Sequence, residues 1–79
     1  MLKNVHAESR TEYTQVDLNK LLAAHERYVN GQGGLRAHLA HKRLDGLNLA
    51  NRELYEAEFS GASLVSATLF GSNLERAVF

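Results

Sequence analysis

Four histidines are the first residues in this chain to suggest chemistry, and His38 and His41 stand three apart with His25 upstream. A tetrahedral metal centre draws its ligands from Cys, His and carboxylates. The chain has no Cys and no carboxylate spaced to complete such a set. Solvated side chains are therefore expected at His38 and His41, and a packed or hydrogen-bonded contact with Tyr28 and the chain beyond it at His25. Ser60, Ser63, Ser66 and Ser72 offer hydroxyls, but a nucleophilic serine needs a base within hydrogen-bond reach, and none is visibly positioned. Glu53, Glu56 and Glu58 crowd together as acid–base pairs do, yet a solvated face explains them without catalysis. Gly31-Gln32-Gly33-Gly34 follows a helical pattern instead of opening one, so it is poorly placed to cradle a phosphate. The expectation is a protein that is not an enzyme, with no cofactor, no metal and no small-molecule substrate.

Composition sets the outer limits. Seventy-nine residues allow one small domain with little buried surface. Nine basic residues balance nine acidic ones, so no global field draws the chain to nucleic acid or acidic lipid. Absence of Cys removes disulfides and suits a reducing compartment. The start, Met1-Leu2-Lys3-Asn4-Val5-His6, has no apolar run like that of a signal peptide, and no stretch is apolar for long enough to cross a membrane. A cytoplasmic location follows as the expectation.

The elements that must position these residues are read from periodicity. Residues 1–16 have no period and read as a tail, with Tyr13 and Val16 able to fold back. Over 17–31, Leu18, Leu21, Leu22, His25, Tyr28 and Val29 recur at steps of three and four and share one helical face. Asp17 can cap its start, with Thr14 a rival one turn earlier, and Gly31 suits a left-handed stop. Such a helix is marginal alone and needs a partner surface. Residues 32–36 form a Gly-rich hinge.

From 37 to 79 the period becomes five. Leu39, Leu44, Leu49, Leu54, Phe59, Leu64, Leu69, Leu74 and Phe79 hold one register, with Ala37, Ala57, Ala62, Ala67, Ser72 and Ala77 two residues ahead. Neither helix nor ordinary strand has this period. The pattern resembles the pentapeptide-repeat family, whose unit reads A-(D/N)-L-x-x, as in Ala67-Thr68-Leu69-Phe70-Gly71 and Ser72-Asn73-Leu74-Glu75-Arg76. A helix ending in His-x-x-aromatic, followed by a Gly-rich turn and A-x-L, is similar to the leader of many bacterial members. The resemblance implies a bacterial protein and an all-β solenoid with a helical cap: a right-handed quadrilateral β-helix of about two coils, preceded by one α-helix. Residues twenty apart then stack in columns: Leu39–Phe59–Phe79, Leu44–Leu64, Leu49–Leu69 and Leu54–Leu74. The third turn position falls on His41, Gly46, Asn51, Glu56, Gly61, Ser66, Gly71 and Arg76. Asn51 under Gly71 suggests type II turns, Glu56 under Arg76 suggests type I, and the other two corners stay open. Glu56 and Arg76 are placed to form an exposed ion pair.

Departures from the pattern separate the two ends. Lys42, Leu47 and Arg52 occupy small positions in the first coil, where a long side chain is tolerable only at an end with its head in water. The upstream coil is therefore expected to be terminal and covered by the helix. The repeat runs regularly to Phe79. That implies either a chain continuing into a longer solenoid, the favoured reading, or an edge covered by a partner or a second copy.

Function is expected to be that of a structural or protein-interaction module. Its partner is a protein or a second copy, bound through the C-terminal edge or a face, with Leu64, Leu69, Phe70, Leu74 and Phe79 as the binding residues. Exposed Tyr55, Val65, Phe70 and Val78 would add to an interface should they converge. The alternative implied by the family is mimicry of DNA by an acidic solenoid that occupies a type II topoisomerase such as gyrase. Four basic and five acidic residues in 37–79 give a net of only minus one, and two coils span only about 10 Å, which argues against it. DNA binding itself lacks a basic, aromatic-interleaved stripe.

Overall fold

The structure, a computed structural model, describes residues 13–79. Most of the expected tail therefore lies outside the described residues. Helix α1 spans Gln15–Val29, two residues earlier at each end than the expected 17–31. The shift has a local cause: Thr14, not Asp17, is the N-cap, its Oγ accepting from the Asp17 N–H at 3.1 Å. Asp17 then sits in the first turn, where the helix dipole favours a carboxylate. At the other end the Gly31 N–H donates to Tyr28 O and the Gln32 N–H to Arg27 O, closing a Schellman motif around Gly31 at φ 72°. Leu18, Leu22 and His25 form the buried stripe, whereas Tyr28 is 38% exposed.

The hinge turns back along α1. The Leu35 N–H donates to Ala24 O at 3.1 Å, and Gly34 lies flat against the helix backbone at φ 78°. Beyond it the chain runs in two superposed passes, 37–56 and 57–79. Parallel bridges join His38 to Glu58, Arg43 to Ser63, Asn48 to Thr68, Glu53 to Asn73 and Glu58 to Val78, always twenty residues apart.

The expected all-β solenoid is corrected by these elements. Among the described residues α1 is the only regular element, and the remaining pairing consists of isolated single-residue bridges without a strand or a sheet. The reason lies in the five-residue unit. Residues 39–42, 44–47 and their successors are spent on turns, which leaves one residue, such as Arg43, to pair with its neighbour. A strand of ordinary length needs about three or more.

The turns themselves share one geometry. All eight third positions have positive φ, from 58° at Asn51 to 75° at Gly71, which fits type II and excludes type I. The type I expectation for Glu56 and Arg76 is therefore corrected, since they adopt φ 65° and 61°. Seven of the eight turns close with an N–H donated to the apolar residue's carbonyl, as from Ala62 to Phe59 O at 2.9 Å. The exception is Arg52, whose N–H goes instead to Ser72 Oγ at 3.0 Å.

Leu39, Leu44, Leu49, Leu54 and Phe59 are fully buried with Ala37 and Ala57, and Leu18 and Leu22 of α1 join the same cluster. Tyr13 packs on this core, but Val16 is 62% exposed. Among the described residues no helix is long and apolar enough to cross a membrane.

Candidate interaction edge and helix-docking face

The two passes differ in how their backbones are satisfied. In the first pass the N–H groups of Leu44, Leu49 and Leu54 donate to the carbonyls of Ser63, Thr68 and Asn73 at 2.7 to 2.9 Å. The carbonyls of Lys42, Leu47 and Arg52 accept from the same three second-pass residues. Twenty residues on, the N–H groups of Leu64, Leu69 and Leu74 and the carbonyls of Ala62, Ala67 and Ser72 have no backbone partner among the described residues. The second pass thus presents alternating donors and acceptors, the property that makes a free edge adhesive.

Apolar side chains line that edge. Leu64, Leu69 and Leu74 are half-buried and packed on the core, each twenty residues after a fully buried leucine. Phe79 is 61% exposed, with one ring face stacked on Phe59 at 5.0 Å and 10°. These four residues form one layer. Phe70 does not join it: the side chain is 80% exposed. Val65 and Val78 are exposed as well.

The opposite side of the core is closed by α1, and polar groups fix the docking. His25 is fully buried; its Nδ1 accepts from the Ala37 N–H at 2.9 Å and its Nε2 lies 2.9 Å from Tyr55 O. Since Nδ1 is an acceptor, the ring is neutral with its proton on Nε2, which donates to Tyr55. Burial holds the imidazole below its ordinary value of 6.5. Its ring lies 5.7 Å from that of Tyr28, so the expected contact with Tyr28 is one part of a larger arrangement.

Arg52 also departs from expectation. Its head does not run free to water but forks onto Glu26 of α1, with Nε to Oε2 at 2.9 Å and Nη2 to Oε1 at 3.2 Å. That hydrogen-bonded fork holds the Glu26 carboxyl below its ordinary value. Gln15 exchanges two bonds with the Asn48 backbone, at 2.9 and 2.8 Å. The signal for these contacts was present as polar residues flanking His25 and a large residue at a small position, but no spacing rule pairs them.

Two concavities lie among the described residues. One, of about 580 Å³, is lined by Tyr28, Arg36, Glu56 and Arg76. Inside it Tyr28 donates to Glu56 at 3.0 Å, and Arg76 lies 3.7 Å from the same carboxylate, the expected stacked ion pair. The other, of about 350 Å³, is a more apolar groove between Leu21, Ala24 and Leu35, with Arg36 and His38 at its rim. Neither reaches the layer from Leu64 to Phe79.

The residues that first suggested chemistry are dispersed. His38 is exposed at this rim and His41 is exposed at a corner, and among the described residues no three metal-binding side chains cluster. Ser63 donates to Asp45, which accepts from Val65 N–H too, and Ser72 donates to Leu49 O. Glu53 accepts from Asn73, and Glu58 pairs with Arg36 at 3.7 Å. Comparison with protein-family models, curated proteins and solved structures finds no match to the chain.

Proposed function

We propose that this chain is a protein-interaction module of pentapeptide-repeat type that associates with a second copy of itself through the second-pass edge. The observation that supports this most is the row of N–H groups at Leu64, Leu69 and Leu74, unpaired among the described residues, beside the half-exposed apolar layer ending at Phe79. A second copy is the favoured occupant because the edge carries donors, acceptors and leucines at one five-residue spacing. An identical edge supplies the complement of each. The reading is non-enzymatic and includes a cytoplasmic location, which the absence of cysteine favours.

Sedimentation equilibrium across a wide concentration range tests it. Association that strengthens with concentration and weakens in Phe79→Asp, with helical circular dichroism retained, supports the proposal. A folded chain that stays monomeric at high concentration removes it.

A further inference from the structure

One side chain ties three separate parts of the molecule together. His25 sits on α1, takes the Ala37 N–H at the head of the first pass, and donates to Tyr55 O near that pass's end. All of this happens with no exposed ring surface. A protonated imidazole carries hydrogen on both nitrogens, so Nδ1–H would face the Ala37 N–H, donor against donor. That bond cannot survive protonation, and the fully buried ring has no solvent-exposed surface through which to exchange it for another.

We infer that His25 is an acid-sensitive latch: its protonation releases α1 from the first pass and uncovers the apolar side chains of Leu18, Leu22 and Leu39–Leu54 that the docked helix buries. The groups around it do not supply an alternative home for the charge. Glu53 of the first pass and Glu26 of α1 favour the imidazolium, while Arg36 of the hinge opposes it. Glu26 is already engaged by the Arg52 fork and Glu53 by Asn73. Burial outweighs the carboxylates, and the net displacement is downward.

The sign of the pH dependence follows. Released His25 titrates near 6.5 and docked His25 lower, so the released state binds more protons as pH falls below 6.5. The docked fraction relative to the released one then falls by up to tenfold per pH unit, until the docked-state value is passed. Above 6.5 docking is complete and independent of pH as far as this residue is concerned. The release belongs to a different end of the molecule from the proposed self-association edge, so the two fail or stand separately.

Ring-nitrogen NMR of His25 together with amide resonances of Leu18, Leu22 and Ala37, followed from pH 8 to 5 on the whole chain, tests the latch. The expected result is an Nε2-protonated neutral ring at pH 8, and loss of the docked Ala37 resonance at the pH where the ring gains its second proton. His25→Gln should dock more weakly and lose this dependence between pH 7 and 5. Should that variant fail to fold, the unsubstituted chain decides alone. Protonation of His25 with α1 still docked, or docked resonances unchanged to pH 5 with the ring neutral throughout, would overturn the inference.

Discussion

Gly34 gives the sharpest test of how the helix is held, because its neighbour Gly33 provides an internal control. Both have left-handed backbone, at φ 78° and 84°. A Cβ on Gly34 would lie 2.1 Å from Ala24 O, 2.7 Å from Tyr28 N and 2.8 Å from Arg27 Cβ, whereas one on Gly33 would meet nothing within 4 Å. Alanine at either position carries the same left-handed penalty of about 1–2 kcal/mol, partly offset by about 0.4–1 kcal/mol of lost unfolded-state freedom. Only Gly34→Ala must also lift the hinge off α1. That forfeits the Leu35-to-Ala24 hydrogen bond, worth about 1 kcal/mol, and adds overpacking of about 1–3 kcal/mol. Gly33→Ala should therefore cost about 0–1.6 kcal/mol, and Gly34→Ala about 2–4 kcal/mol more. Urea unfolding monitored by circular dichroism at pH 7.5 measures the difference, given equal slopes. Equal losses of stability in the two variants would refute the docking geometry of the hinge.

Other expectations follow from single contacts. Arg52→Lys keeps the charge but loses the two-pronged geometry on Glu26, and should destabilise the fold by about 1 kcal/mol in urea unfolding. Because Arg52 depresses the Glu26 carboxyl below 4.5, the contribution of that pair is present above 4.5 and lost as pH falls further. The stability gap between the unsubstituted chain and Glu26→Gln should thus be constant near neutrality and close in acid. Ser66 holds φ 60° on an exposed corner, so Ser66→Gly should raise stability by a few tenths to about 1 kcal/mol, read as a higher melting temperature.

How much was legible depended on whether a feature repeats. The five-residue register located every buried leucine from Leu39 to Leu54 and every corner, because each occurrence reinforces the others. The turn class at Glu56 and Arg76 was not legible from residue type. Glu and Arg seldom adopt positive φ, but the pairing twenty residues away imposes one geometry on both passes. Sheet content was overestimated for a related reason: a period shows that segments stack, not how many residues of each remain outside a turn. On the helix, Leu18 and Leu22 followed from periodicity, while the start moved to Thr14 because two capping residues compete within four positions. Contacts between unlike elements, such as Glu26 with Arg52 or His25 with Tyr55, repeat nowhere in the chain and so left no periodic trace. At the edge, the layer of Leu64, Leu69, Leu74 and Phe79 was readable from register. Phe70 was grouped with it on hydrophobicity, yet it projects away as the residue after Leu69 in a turn.

Amide hydrogen exchange at six leucines tests the proposed edge most directly. The N–H groups of Leu44, Leu49 and Leu54 are hydrogen-bonded within the chain, so slow exchange is expected at any protein concentration. Those of Leu64, Leu69 and Leu74 should exchange fast in dilute solution and become protected as concentration rises and a second copy covers them. Exchange at these three that is equally fast at every concentration, or equally slow in dilute solution, would contradict the account.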